Sequence, residues 1–513
     1  MSSLQPLLAA LGAVLRRAGA CPFRTHMNLP PPTTLAHQDI RTIMIGLMLA
    51  MFLGALDQTI VATALPTIGV HFGDLARLSW VVTAYLLTGT AVTPLYGKLS
   101  DVYGRRVMMM TAIGLFVVGS VACAAAPSMT ALILARALQG LGGGGLMALA
   151  QTIIADIVSP RERGRYQGYI SSVFALSSVG GPVLGGVLTE ALDWSLIFWI
   201  NLPLGLAALG MTARALKLVP YHPRKHRIDL IGAMIMVCAA IVLLLALSWG
   251  GRDYAWLSAQ IDGLLAGSFI LWLLFGWHLT RHAEPFLPLN VLGNKVLRNA
   301  ALAGACNMGT LVGMTIYVPL YFDVHLHLSA GISGVALIPL MLATVLWSTI
   351  CGRLMMYLEH YKRVGLIGAS FAIGGLVILA IGAGSLPLWA VLVLLFAIGS
   401  GLGCVFPIST VCMQNAVART QMGVATGAAN FFRALMSALV VAVLGAIVLG
   451  GLGGHTGAAV EDVARAASVE TVAAAFRYVF AACALVACCG LAFLIALEER
   501  PLRGPVADAP ISE

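Results

Sequence analysis

Residues 42–64 read TIMIGLMLAMFLGALDQTIVATA, an apolar run with a single charge, Asp57. A helix that crosses the hydrocarbon core of a bilayer needs about 20 apolar residues. An ionisable side chain at that depth is costly unless it is paired, hydrated or protonated, so by default it marks a proton or substrate pathway. The rest of the chain repeats the apolar pattern. Apolar residues make up 59 % of the 513 and charged residues 10 %, and the mean hydropathy is +0.93. A soluble domain of this size would need far more charged surface, so the composition predicts an all-α membrane protein.

Charged and Pro/Gly-rich breaks divide the sequence into fourteen spans, at about 42–64, 78–97, 107–126, 129–154, 166–189, 196–215, 229–249, 259–279, 299–322, 331–352, 364–383, 388–411, 423–449 and 474–497. The basic residues test this division. With the N-terminus inside, 24 of the 30 Lys and Arg fall in inner loops and tails. Four lie outside (Arg77, Arg252, Arg465, Arg477) and two lie within spans, Arg136 and Arg433. That asymmetry is what the positive-inside rule requires, and it predicts both termini in the cytoplasm. The +9 net charge therefore reads as topology, not as nucleic-acid binding.

The spans group as six, two and six. The predicted organisation is a cytoplasmic arm (1–38), a six-helix bundle (39–215), a linker carrying two extra helices (216–297), a second six-helix bundle (298–497) and a cytoplasmic tail (498–513). Two six-helix halves suggest a duplicated carrier with its site between them. The segment Leu4–Leu15 is apolar but too short to span. Its basic residues, Arg16 and Arg17, follow the apolar run where a signal peptide would carry them before it. It reads as an interfacial helix or a disordered arm, and a start at Met27 is an alternative. The ten cysteines show no paired spacing, and all but Cys21 fall in or beside spans. They read as small buried hydrophobes, with no metal site. No Walker loop, nucleophile elbow or His-Glu-x-x-His run is present, so no catalytic residue and no cofactor is expected.

Several motifs carry a family resemblance. Gly97-Lys98-Leu99-Ser100-Asp101-Val102-Tyr103-Gly104-Arg105-Arg106, between spans two and three, resembles the G-x-L-x-D-x-x-G-R-R loop of the major facilitator superfamily. Arg136-x-x-Gln139-Gly140 in span four is similar to its R-x-x-Q-G element, and Gly181-Pro182-Val183-Leu184-Gly185-Gly186 in span five resembles the G-P-x-x-G-G element of its antiporters. The run from Leu56-Asp57 to Pro66, with Phe198 to Pro203, resembles the fourteen-span drug:proton antiporters of EmrB/QacA type. The resemblance covers about 40–497 and implies the major facilitator fold, two six-helix bundles plus two extra central transmembrane helices. There are departures. Trp194-Ser195-Leu196 stands where the family has a Trp-Arg-Trp-like run. The second-half loop, Gly352-Arg353-Leu354-Met355-Met356, lacks the carboxylate equivalent to Asp101. Glu359 is a candidate substitute.

Asp57 and Arg136 each lie about seven residues from the predicted outer ends of their spans, roughly 10 Å deep at 1.5 Å per residue. Matching depth permits pairing between antiparallel helices. The resemblance implies that Arg136 takes part in proton coupling and that Asp57 is a proton or substrate-cation site; a static ion pair fixing register is the alternative. Gln139, one turn on, can orient the guanidinium, meet substrate or bond a neighbouring helix. Thr426, Asn430 and Arg433 share one face of span thirteen and line the substrate cavity or glue helices together. Gly97, Asp101, Gly104, Arg105 and Arg106 form a conformational latch in the family; a solvated basic loop is the alternative. Gly181, Pro182, Gly185 and Gly186 mark either a packing kink or the bend associated with antiport.

The resemblance thus implies proton-driven efflux of amphipathic drugs or toxic compounds across the bacterial inner membrane by alternating access. The expected partners are the small substrate, protons and the lipid bilayer, with a periplasmic adaptor meeting loop 450–473 as a further candidate. A dedicated exporter of one metabolite, such as a siderophore or antibiotic, is the alternative within transport. A membrane receptor is the rival from another class.

Overall fold

The computed structural model describes residues 37–74, 77–218, 229–251, 253–282, 284–328, 330–452 and 468–502. Residues 1–37 and 38–513 form separate units, and the membrane spans belong to the second. The N-terminal arm before residue 37, the basic run 221–227, most of the loop 450–473 and the end of the tail lie outside the described residues.

Among the described residues, fourteen helices are long and apolar enough to cross a membrane. The first half contains α1 (His37–Phe72), α2 (Leu78–Tyr103), α3 (Arg105–Ala124), α4 (Met129–Ile157), α5 (Pro160–Ala191) and α6 (Leu196–Ala215). The extra pair is α7 (Leu230–Trp249) and α8 (Ala259–Arg281). The second half contains α9 (Lys295–His325), α10 (Ile332–Leu354), α11 (Tyr361–Gly382), α12 (Leu388–Asn415), α13 (Met422–Gly451) and α14 (Val469–Ile495). Number and order agree with the sequence reading, but some ends do not. Helix α1 runs through Pro66 to Phe72 instead of ending near 64. Proline removes one backbone donor, yet Ile68 beyond it is fully buried in a cluster with Val81, Met129 and Trp194, and this packing carries the helix onward.

Local chemistry sets the other ends. Ser128, Ser258 and Ser468 each accept a backbone N–H of the turn they begin, the usual N-cap arrangement. Gly104, at φ 93°, makes the sharp turn from α2 into α3. The glycines of α4 let it lie between its neighbours. A Cβ on Gly142 would collide with backbone of α3 at Phe116 and Ala112, and one on Gly144 with backbone of α2 at Gly89. Of the nine cysteines described, Cys238, Cys488 and Cys489 are exposed on the outside of the bundle, so the expectation that all would be buried fails for these three. An apolar thiol is equally at home against lipid.

The halves meet along two seams, α2 against α13 and α5 against α10. The extra pair covers the first seam. Met236 of α7, Phe275 of α8 and Phe286 just beyond it cluster with Val424 and Ala428 of α13 and Leu95 of α2. Asp229 ties this pair together. Its Oδ1 accepts from Gly232 N (2.8 Å) and meets His278 Nε2 (2.8 Å), and its Oδ2 accepts from Phe286 N (3.0 Å). Burial works to raise its pKa, but these hydrogen bonds outweigh it and hold the carboxyl below the usual carboxylate range.

Candidate functional site

Asp57 lies in α1 fifteen residues before the helix ends, and it is fully buried. Arg136 of α4 reaches it with Nη1 2.6 Å from Oδ2. Its Nε donates to the Val81 carbonyl of α2 (3.0 Å), and its plane lies over the Tyr85 ring at 4.3 Å. Gln139 of α4 accepts from Arg136 Nη1 (2.6 Å) and donates to Asp57 Oδ1 (2.8 Å). Two partners were not legible in the sequence. Asn201, at the break that begins the second part of α6, donates to Asp57 Oδ1 (2.9 Å) and to Ser120 Oγ of α3 (2.8 Å). Ser120 in turn donates to the Phe198 carbonyl. Four helices of the first half and the Val81 carbonyl of α2 thus enclose one carboxylate and one guanidinium, both at most 1 % exposed. A buried charge pair is tolerated when the remaining donors and acceptors are also satisfied. One acceptor is left over: Asn201 Oδ1 is buried without a hydrogen-bond partner.

Gln139 therefore stands in the Asp57 cluster, apart from Thr426, Asn430 and Arg433. Those three lie on α13 in the second half, all partly or fully buried. Arg433 Nη2 donates to Thr410 Oγ1 of α12 at 2.7 Å and, weakly, to Ser409 Oγ at 3.5 Å. Its Nη1 lies 3.4 Å from Asn430 Oδ1. Asn430 also crosses between halves, donating to Gln151 Oε1 of α4 at 3.0 Å.

The last turn of α2 joins the second half directly. Asp101 Oδ1 and Oδ2 accept the backbone N–H groups of Gly423 (3.2 Å) and Val424 (3.0 Å), in the first turn of α13. A carboxylate there satisfies orphan donors and complements the helix dipole. Arg105 pairs with Asp101 and with Asp156 of α4 (2.7 Å). Arg106 is half-buried, and its Nε has no hydrogen-bond partner. Gly97 lies so close to Gly423 that a Cβ on either would collide with the other's carbonyl.

The second seam has the same glycine contact, Gly164 of α5 against Gly352 of α10. Among the described residues, the bonds across it come from Arg161 and Ser171, with no carboxylate among them. Arg161 Nε donates to the Met356 carbonyl (2.7 Å), and Ser171 Oγ donates to Ser348 Oγ (2.9 Å). Glu359 does not stand in for the missing acid; it is exposed, on the wall of a cavity of about 450 Å³. The hydrogen bonds that link Arg161, Ser171, Gln151 and Asp101 to the second half all lie toward the face that carries Asp101 and Arg161.

In the α5 motif, Gly181 and Gly185 abut α1, where a Cβ would meet Thr59 Oγ1 and Thr63 Oγ1. Gly186 has open space, and Pro182 sits exposed within a continuous helix. Asp229, His278 and His282 bring three potential metal ligand atoms within 4.8 Å of one another. Both Asp229 oxygens already accept protein hydrogen bonds, so the group serves as a helix cap.

Residues 47–441 match the description Major Facilitator Superfamily. The multidrug transporter protein MdtP of Bacillus subtilis is 35 % identical over 412 residues, covering 80 % of this chain and 76 % of that protein. Multidrug resistance protein 3 of the same organism is 32 % identical over 416 residues, 81 % of each. Among solved structures, the proton:xylose symporter XylE aligns with a TM-score of 0.60 at 14 % identity, over 89 % of this chain and 95 % of that one. A bacterial homologue of the iron transporter ferroportin, in an outward-facing state, aligns with a TM-score of 0.61 at 13 % identity, over 89 % and 100 %. The two structures share the fold.

Proposed function

We propose, from the premise that the chain belongs to the Major Facilitator Superfamily, that it exports amphipathic compounds across the bacterial inner membrane in exchange for protons. The face carrying Asp101 and Arg161 is then cytoplasmic, with both termini on that side. The observation that carries the reading is the Asp57–Arg136 pair, enclosed inside the spans. A proton arriving on Asp57 removes the charge that Arg136 pairs with. Asn201 Oδ1, buried without a partner, becomes an acceptor for the new O–H once the amide turns over. The pair can therefore exist in two hydrogen-bonded arrangements, which a coupled carrier requires. The fourteen spans and the two efflux-type relatives support export. Asp101 on the α13 N-terminus, with the Gly97–Gly423 and Gly164–Gly352 contacts, closes the cytoplasmic side in this conformation. The exposed Pro182 within α5 fits a bend that seals the path.

The reading is tested in everted vesicles that acidify their lumen. Asp57→Asn should insert normally and lose gradient-driven uptake of amphipathic substrates. Normal uptake by that variant at neutral pH would refute the role given to Asp57.

A further inference from the structure

Arg433 is a charge that no acid neutralises among the described residues. It is 4 % exposed, eleven residues into α13, and its Nε is buried without a hydrogen-bond partner. Its other contacts are neutral: Thr410 and Ser409 hydroxyls, the Asn430 amide and the face of Phe406 at 4.9 Å. Both hydroxyls already donate to the Phe406 carbonyl, so they offer Arg433 lone pairs and no negative charge. No carboxylate lies within ion-pair distance of it among the described residues. The sequence supplies few candidates, since from Arg298 to Val460 it holds two acids, Asp323 and Glu359. Asp323 is near the far end of α9, and Glu359 is exposed in a loop. In the first half, Asp57, Asp101 and Asp156 are already paired with Arg136 and Arg105.

Two neighbouring features mark its surroundings. Gly304 of α9 faces it, and a Cβ there would lie 3.1 Å from Nε and from Nη2. Thr426, two turns away on the same face of α13, presents a buried Oγ1 with no partner. A lone guanidinium at membrane depth is costly, and such groups are retained where they meet a ligand or an ion path. Its planar fork matches carboxylate and sulfonate geometry.

We infer that Arg433, with Thr410 and Asn430 beside it, is an anion subsite in the transport path, and that this carrier takes amphipathic organic anions. This rests on the export reading, which it deepens. An outgoing monoanion exchanged for an incoming proton moves two charges in the direction favoured by an inside-negative potential, which contributes about 2.3 kcal/mol per charge per 100 mV.

The test uses two permanently charged amphipathic probes, radiolabelled taurocholate and tetraphenylphosphonium, in everted vesicles containing the full chain. Gradient-driven uptake of taurocholate is expected, falling about tenfold to a hundredfold in Arg433→Gln, as loss of a charged hydrogen bond predicts. Gly304→Ala should raise the taurocholate KM several-fold with a smaller change in maximum rate. Purified Arg433→Gln that still melts cooperatively should have lost equilibrium binding of taurocholate, a readout independent of transport. Uptake of tetraphenylphosphonium but not taurocholate, or taurocholate binding and uptake unchanged in both variants, overturns the anion assignment and leaves export standing. An absence of gradient-driven uptake of either probe by the wild type overturns both.

Discussion

Each half of the protein buries one arginine deep inside its spans, and the two are treated differently. In the first half, Arg136 meets a carboxylate, an amide, a backbone carbonyl and an aromatic face. In the second, Arg433 meets hydroxyls, one amide and a ring, with one donor left over. The seams repeat the contrast. The α2–α13 seam is closed by Asp101 on a helix N-terminus, while the α5–α10 seam is closed by Arg161 on a carbonyl. The backbone contacts are shared, glycine on glycine in both, but among the described residues a carboxylate bonds across the first seam alone. The two seams thus share the close packing and differ in their charges. One half balances its charge internally, and the other holds a positive charge for something that comes and goes.

The largest effect expected from this contrast concerns stability. Arg136→Met strands Asp57 as an uncompensated buried charge and should cost about 3–5 kcal/mol. Arg433→Met strands no charge, so its melting temperature should equal or exceed that of the wild type. Thermal melts of the purified proteins decide it; equal losses in both would erase the distinction.

Next comes the carboxylate latch. Asp101→Ala removes hydrogen bonds to a charged group, each worth about 1.5–3 kcal/mol, and leaves the first turn of α13 unsatisfied. In a background without native cysteines, a cysteine at Ser348 should react faster with a maleimide applied from the loop side, because the two seams open together.

A pH titration sharpens the role of the helix pair over the first seam. The folded protein holds the Asp229 carboxyl below the usual range. Its stabilisation is therefore present above the unfolded carboxylate pKa of about 3.9 and is lost as pH falls through the lower folded value. Asp229→Asn should melt below the wild type at neutral pH, and the gap should close in acid. A gap independent of pH would mean that the charge is immaterial there.

The smallest effect belongs to the second seam. Arg161→Ala loses a single hydrogen bond near the surface, about 0.5–1.5 kcal/mol. The same Ser348 labelling should rise less than in Asp101→Ala.

Much of the fold is legible in the sequence because it depends on composition. The fourteen spans come from hydropathy, and the end of α1 escapes because Pro66 reads as a stop. Asp57 and Arg136 stand out as charges at similar depth, although the true end of α1 puts Asp57 deeper than a span ending near 64 implies. Ser120 and Asn201 are not legible as partners, because a polar residue on another span gives no sign of which way its helix is turned. A signal is present in Asn201, a polar residue beside Pro203 in a run otherwise apolar. Asp101 is conspicuous as an acid, but its partners are the backbone amides of Gly423 and Val424, which leave no mark in a string of side chains. The Met356 carbonyl escapes for the same reason, and the nearby acid Glu359 is a false lead.

The extra pair, α7 and α8, has a mechanical consequence. At one end Trp249 meets Trp80 of α2 edge-to-face (5.7 Å between centroids) and Ser248 lies 3.5 Å from Thr83. Farther along, Trp272 and Phe275 lean on Phe431, Val424 and Ala428 of α13. The two added helices are a strut along one joint, touching α2 at one end and both α2 and α13 at the other. If the halves tilt, the strutted joint must shear while the bare α5–α10 joint is free to gape, so the widest doorway would stand on the side away from the strut.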